Sequence, residues 1–198
     1  MDAIETLMNE HRVIERVLDG LAAFADEVRR KGTTEKHELG RFVTFIREFA
    51  DTCHHGKEEL ILFATMVEHG FPRDGGPVAV MLHEHEQGRA LVRILRDRVA
   101  QQEPWSDADR QEIAEVARGF ATLLRAHIHK EDAVLYPMAE QHLPPEAMEA
   151  VADACEKFEQ DEARAGAHEK LHALAEELVR LHATAVRPDA APSHRIGC

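Results

Sequence analysis

Histidine and glutamate recur four positions apart in one apolar segment of the chain. Residues 54–63 read HHGKEELILF, so His54 precedes Glu58, and His55 precedes Glu59, by about one helical turn. Side chains at positions i and i+4 lie on the same face of a helix. An imidazole and a carboxylate that face an apolar core need a strong partner, because burying unpartnered polar groups costs free energy.

The segment is repeated later in the chain. Residues 127–136 read HIHKEDAVLY, in which His127 matches His54 and Glu131 matches Glu58. Repetition of the same pair in register is difficult to explain as surface charge. Both copies are therefore predicted to turn a histidine and a glutamate toward the protein interior.

The repeat also selects between the two overlapping pairs of the first copy. The position that matches His55 is Ile128, and the position that matches Glu59 is Asp132. Only the first pair recurs unchanged. We therefore expect His55 and Glu59 to lie a helical step round, toward the edge of the core.

Each copy is preceded, at nearly the same distance, by a glutamate and a histidine. These pairs are Glu10-His11 and Glu84-His85. The chain is thus two similar helical hairpins, each with one inward histidine on its first helix. The two glutamates are either hydrogen-bond acceptors for metal-bound histidines or solvated helix charges.

Four histidines and two glutamates that converge in a helical core predict a dinuclear metal site. The six residues are His11, His54, Glu58, His85, His127 and Glu131. Imidazole suits iron, copper, zinc and nickel, and a carboxylate can bridge two hard cations. A structural zinc site, usually built with cysteines, is disfavoured because Cys53, Cys155 and Cys198 are widely spaced.

The hydrophobic period is helical almost throughout the chain. It predicts an all-α fold, an antiparallel up-down four-helix bundle with an additional C-terminal helix. The predicted helices cover about residues 2–30, 39–69, 77–102, 106–141 and 146–182, the last interrupted around Gly166. The predicted domains are residues 1–142 for the bundle, 143–183 for a C-terminal extension packed on it, and 184–198 for a flexible tail.

Composition limits the partners and the compartment. A formal charge of −13 argues against nucleic acid and anionic membrane surfaces as partners. No apolar run reaches the roughly 20 residues that span a bilayer. The acidic N-terminus does not read as a secretory signal, and three cysteines form no disulfide framework, so a cytoplasmic location is expected.

Over about residues 5–140, these motifs resemble the hemerythrin-like family, also called the HHE cation-binding domain. The resemblance implies a four-helix bundle that holds two non-haem iron ions, bridged by two carboxylates and an oxo, hydroxo or water ligand. It implies that the six residues named for the dinuclear site are the iron ligands, and that Glu58 and Glu131 bridge the two ions. Asp132 also fits a family spacing, but Glu131 is preferred because it matches Glu58 in the repeat.

One ligand of the oxygen-carrying members is missing here. Those proteins place two histidines four apart on the third helix, whereas the positions four before and four after His85 are Met81 and Arg89. The iron position is then open or filled from elsewhere. His168, followed one turn later by His172, is the candidate from the fifth helix.

The resemblance implies a protein that binds oxygen, nitric oxide or peroxide for sensing, scavenging or stress protection. The alternatives are a redox enzyme that turns over peroxide or nitric oxide, including iron–sulfur cluster repair, and an iron storage or handling protein. Relatives that repair such clusters carry an extra N-terminal cysteine-bearing domain, and its absence from this sequence disfavours repair. A homodimer and a separate signalling or redox partner are further partner candidates.

Overall fold

The computed structural model describes residues 2–32, 35–160 and 167–182, and within these ranges every regular element is a helix. The first half contains α1 (Ala3–Lys31), α2 (Lys36–Phe45), π1 (Ile46–His55), π2 (Glu58–Leu62) and α3 (Phe63–Glu68). The second half contains α4 (Gly76–Ala100), α5 (Asp107–Lys130), π3 (Glu131–Leu135), α6 (Tyr136–His142), α7 (Pro145–Gln160) and α8 (Ala167–His182). The all-helical prediction is confirmed for the described residues.

Helix ends follow local sequence signals. Ser106 begins α5 with a capping box, in which its hydroxyl accepts from the amide of Asp109 and its own amide donates to the Asp109 carboxylate. Gly32 ends α1 with φ of 66°, a left-handed conformation that favours glycine. These signals fix where the long helices begin and end. They therefore fix the level along the bundle axis at which the inward side chains lie.

Three π-helical segments interrupt the rods that carry the two histidine–glutamate motifs. Residues 36–68 form one continuous helical rod, and residues 107–142 form another. In π2 the amide of Phe63 donates to the carbonyl of Glu58, and in π3 the amide of Tyr136 donates to that of Glu131. Each of these bonds spans five residues rather than four, which is the mark of a π-helix and is frequent at functional sites.

Two apolar clusters are separated by a layer of buried polar side chains. α1 packs on α5, α5 on α4, and α4 on α2. One cluster is centred on residues such as Phe24, Phe42 and Phe120, and the other on residues such as Leu7 and Leu62. The buried polar residues between them are Glu10, His11, His54, His55, Lys57, Glu58, His85, His127 and Glu131.

The last two helices cover the bundle from outside. Cys155 of α7 packs with the cluster around Leu7, whereas Leu178 of α8 packs with the larger cluster, against α1 and α2. The predicted interruption around Gly166 and the predicted tail 184–198 lie outside the described residues, and the domain boundary at residue 142 stays a prediction. No described helix combines the length and the apolar character needed to cross a membrane.

Candidate metal centre

The buried polar layer brings possible metal ligands together in two groups. Within each group, one ligand atom from every residue lies within 4.8 Å of the others. Cluster A consists of His11, His54, Glu58 and Glu131, and cluster B consists of His55, Glu58, His85 and His127. All seven side chains are buried. The structure thus brings together the six residues predicted from the repeat, and adds His55.

Both glutamates contact histidines of the two clusters. Oε2 of Glu58 lies 3.7 Å from Nε2 of His54 and 3.4 Å from Nε2 of His85. Glu131 places Oε2 at 3.3 Å from Nε2 of His11 and Oε1 at 3.1 Å from Nε2 of His127. Each carboxylate therefore lies between the clusters, where it can bridge two cations.

The outer nitrogen of every one of the five histidines contacts a carboxylate. The Nδ1 partners are Asp132 for His11 at 2.7 Å, Glu10 for His54 at 2.9 Å, Asp51 for His55 at 3.3 Å, Glu59 for His85 at 2.6 Å and Glu84 for His127 at 2.9 Å. A proton on Nδ1 that is donated to a carboxylate leaves Nε2 with a lone pair. Metal-binding histidines are typically oriented in this way.

Two lysines repeat the same supporting contact. Nζ of Lys57 donates to Glu10 at 2.5 Å, and Nζ of Lys130 donates to Glu84. Each glutamate thus accepts from one lysine and one inward histidine. Of the two roles considered for Glu10 and Glu84, the structure therefore favours hydrogen-bond acceptor over solvated helix charge. Lys57 is fully buried and also contacts Glu159, whereas the Lys130 side chain is 39% exposed.

The inward-facing atoms lack the partners that their burial demands. Oε2 of Glu58 and both carboxylate oxygens of Glu131 are buried without a hydrogen-bond partner. With Nδ1 protonated, the Nε2 atoms are acceptors too, and those of His85 and His127 face each other at 3.0 Å. Acceptors that converge on acceptors in a buried site need a cation between them. The donor set fits bound metal cations.

The surrounding carboxylates also shift the pKa values of the inward histidines. Burial lowers the pKa of His11, but hydrogen bonds and charges of the neighbouring carboxylates outweigh it and raise that pKa to about 9. Burial also lowers the pKa of His85, but hydrogen bonds to Glu58 and Glu59 outweigh it and raise that pKa to about 9. By contrast, burial and the adjacent His85 charge hold the pKa of His55 well below its usual value. The carboxylates thus favour positive charge at the centre.

The clusters differ in their aromatic neighbours. The hydroxyl of Tyr136 donates to Oε1 of Glu58 at 2.6 Å, and its ring stacks on His11 with centroids 5.5 Å apart. The matching residue of the first repeat is Phe63, whose ring stacks on His85 at 6.0 Å but has no hydroxyl. Burial and adjacent carboxylates raise the pKa of Tyr136 well above its usual value, so it stays a donor.

The structure corrects the prediction that His55 lies toward the edge. His55 is only 6% exposed and stacks on His85 with ring centroids 3.8 Å apart. It ends π1, where the wider helical turn allows both His54 and His55 to face inward. The sequence signal for His55 was the adjacent pair His54-His55. It was discounted because a regular α-helix would place the two side chains about 100° apart. Glu59 is half-buried and supports His85 from outside.

The structure does not bring His168 to either cluster. Its Nε2 lies 3.8 Å from Oε1 of Glu10, and its side chain is 41% exposed. Glu10 contacts His54 through its other oxygen, so this carboxylate stands between His168 and cluster A. Met81 lies in the apolar core, and Arg89 pairs with Asp51, so neither neighbour of His85 supplies a ligand. His55 is the candidate fifth histidine.

A pocket of about 230 Å³ reaches cluster B from the surface. His55, His85 and His127 lie at its inner end, and its other walls come from π1, α4 and α5. Among the residues that line it, none is an exclusive member of cluster A. The two halves of the centre therefore differ in access as well as in composition.

Buried histidines that share two carboxylates inside an all-helical fold define a helical metal-binding protein. Comparison with known families identifies which family of helical metal-binding proteins this is. The family model of the hemerythrin HHE cation-binding domain matches residues 2–139, and the chain belongs to that family. The confirmed membership agrees with the resemblance found in the sequence.

Curated relatives are distant. Uncharacterized proteins of Mycobacterium tuberculosis and Mycobacterium bovis are each 25% identical over 167 residues, 82% of this chain and 62% of theirs. The iron-sulfur cluster repair protein YtfE of Musicola paradisiaca is 30% identical over 139 residues, 69% of this chain and 62% of that protein. The chain thus spans 62% of the length of these relatives. No solved structure matches it.

Proposed function

We propose that the chain is a non-haem di-iron protein that binds oxygen, nitric oxide or peroxide and acts in sensing, scavenging or stress protection. The observation that carries the proposal is the convergence of four Nε2 atoms, with His55 beside them, on two buried carboxylates that retain oxygens without hydrogen-bond partners. Each carboxylate contacts histidines of both clusters, which supports two ions rather than one. When bound, the iron ions supply redox chemistry and affinity for small molecules.

The protein residues would hold and shield the ions. His11 and His54 with the two glutamates would hold one ion, and the three histidines of cluster B with the same glutamates would hold the other. The Nδ1 carboxylates fix each ring and raise its basicity as a ligand. Leu62 and Leu135, both almost fully buried, help to exclude water from one side of the centre.

The pocket supports approach of a small molecule from the side of cluster B. Tyr136 lies on the opposite cluster and donates to Glu58, so its hydroxyl steadies a carboxylate in the orientation that both ions need. In this proposal, cluster A helps to hold the shared carboxylate in place, and cluster B contacts the incoming small molecule. The same proposal includes an up-and-down order of four helical rods, since the two apolar clusters alternate in order along successive rods.

Turnover of nitric oxide or peroxide, including repair of iron–sulfur clusters, is the second candidate. It is supported by the 30% identity to a protein named for iron-sulfur cluster repair. That relative is longer than the matched region, so its activity is transferred here only as a proposal. Repeated consumption of the added molecule would distinguish this candidate from reversible binding.

Anaerobic loading with ferrous iron, followed by elemental analysis, tests the centre first. We expect two iron ions per chain, because the possible ligands fall into two groups and each carboxylate contacts histidines of both. Titration of the loaded protein with oxygen, nitric oxide and peroxide, followed by optical spectroscopy, then tests the function. Tightly held zinc alone, or one metal ion per chain, would contradict the di-iron proposal.

A further inference from the structure

The lining of the pocket beside cluster B changes character along the three helical segments π1, α4 and α5 that form it. Its inner end holds His55 and His85, and its middle is lined by apolar residues such as Ala50, Val92 and Phe120. Its outer end is cationic, lined by Arg47, Arg93 and Arg96. At about 1.5 Å per residue, Arg96 lies roughly 16 Å along α4 from His85.

The inner end of the pocket is balanced in charge. Nε of Arg89 donates to Oδ1 of Asp51 at 2.8 Å, and the same guanidinium contacts Glu59 and Glu86. Glu84 accepts from Lys130 and His127. The guanidinium of Arg89 and the ammonium of Lys130 are thus already paired with carboxylates at this end of the pocket.

The outer end carries positive charge in excess. Within the described part of the chain, no carboxylate lies within ion-pair distance of Arg93, and the nearest one to Arg47 is Glu48 at 4.0 Å. Arg96 contacts Asp97 at 2.9 Å, but both side chains are about half exposed or more, and such pairs are weak. This local excess stands in a chain of formal charge −13. It is the charge pattern of a mouth that attracts anions.

Size limits the ligand. The pocket volume of about 230 Å³ is equivalent to roughly eight water-sized groups at about 30 Å³ each. A second, shallower depression shares Arg47 and Arg96 with the pocket and adds Lys36 to the cationic rim, whereas its Arg41 is paired with Glu38 and Glu177. A polar head can thus lie in the open while a short chain occupies the pocket.

We propose that this pocket binds an organic monocarboxylate with an unbranched chain of about eight carbons. The carboxylate lies at Arg93, Arg96 and Arg47, where guanidinium groups can bind it through two hydrogen bonds. The apolar chain lies against Ala50, Val92 and Phe120 and points toward cluster B. The proposal concerns binding alone and does not depend on the metal content of the centre.

Calorimetric titration of the full chain as purified, with its metal content measured on the same sample, tests the proposal. The probes are octanoate, octanol and acetate. We expect octanoate to bind at least about tenfold more tightly than either, because octanol lacks the charge and acetate lacks the chain. Equal affinity for octanol would overturn the anion site, and equal affinity for acetate would overturn the apolar site. Failure of iron loading would affect neither comparison.

Two variants make the location specific. Arg93→Ala combined with Arg96→Ala should remove the preference for octanoate over octanol, about tenfold. Leu123→Trp, at the half-buried wall of the pocket, should fill the space and abolish octanoate binding. Arg118→Ala, which breaks an exposed pair with Asp26 outside the pocket, is the matched control. Unchanged octanoate affinity in both test variants, with normal thermal unfolding, would place any binding elsewhere.

Discussion

Clusters A and B share Glu58, and Glu131 of cluster A also contacts His127 of cluster B, but the two clusters differ in almost everything around them. No residue that belongs to cluster A alone lines the pocket described above, and a tyrosine hydroxyl donates to the shared carboxylate Glu58. Cluster B has a phenylalanine in the matching position, one more histidine, and a pocket that reaches the surface. A repeat that would give two equal halves has therefore produced one shielded half and one accessible half.

The supporting contacts remain symmetric where the ligands do not. Glu10 joins Lys57 to His54 in one half, and Glu84 joins Lys130 to His127 in the other. The difference arises from a few substitutions between the copies, above all at His55 and Tyr136. Six of the seven possible ligands follow the repeat, so the difference between the two clusters resides in the positions where the repeat fails.

The largest expected effect comes from the glutamate that both clusters share. Glu58→Gln keeps the shape of the side chain but removes the charge that lies between the two groups of histidines. We expect iron content to fall from two ions per chain to nearly none, measured by elemental analysis after anaerobic loading.

Glu59→Gln is the matched control, because an amide oxygen can still accept from Nδ1 of His85. It should retain both ions, with a modest rise in chelator sensitivity. Two ions retained in Glu58→Gln would show that the clusters do not depend on a shared carboxylate.

The next effect separates the halves. His55→Ala removes a ligand from cluster B alone, so we expect one ion to be lost or held weakly while the ion of cluster A remains. His168→Ala should retain two ions, because its ring is half-buried beside Glu10 rather than among the Nε2 atoms. Iron content and the visible spectrum after gel filtration measure both. Loss of iron in His168→Ala, with His55→Ala unaffected, would restore the sequence prediction.

These two histidines show where sequence reasoning succeeds and fails. The repeat located six residues of the site because a shared register and a helical period place them on one face. His55 was missed because π1 has five-residue hydrogen bonds, and nothing in the composition of that segment announces them. His168 was chosen for its residue type, whereas its position depends on how α8 packs against α1.

A similar contrast applies to the fold. The positions of the long helices and the breaks between them follow from apolar periodicity, Pro77 and the Ser106 cap, all readable in the sequence. The Nδ1 carboxylates could not be assigned with the same certainty. Glu10 is far from His54 in sequence, and an acidic residue on a helix is usually solvated.

A smaller effect compares the two lysines. Lys57→Met leaves the buried carboxylate of Glu10 without its cation, which should lower the free energy of unfolding by about 3 kcal/mol. Lys130→Met removes a partly exposed partner of Glu84 and should cost about 1 kcal/mol or less. Urea unfolding of both variants under identical metal conditions measures the difference. Equal losses would mean that the two supporting contacts are equally buried in solution.

The smallest effect concerns the tyrosine that distinguishes cluster A. Tyr136→Phe keeps the ring stacked on His11 but removes the hydrogen bond to Oε1 of Glu58, and thereby makes this position resemble its counterpart Phe63. A buried hydrogen bond to a charged group contributes about 1.5–3 kcal/mol, so we expect two ions still to bind but to be released about tenfold faster to a chelator. Phe63→Leu, which removes the ring stacked on His85 without touching a hydrogen bond, is the control for aromatic packing. If chelator release in Tyr136→Phe matches that of the unchanged protein, the hydroxyl has no part in holding Glu58, and the closed character of cluster A must come from burial alone.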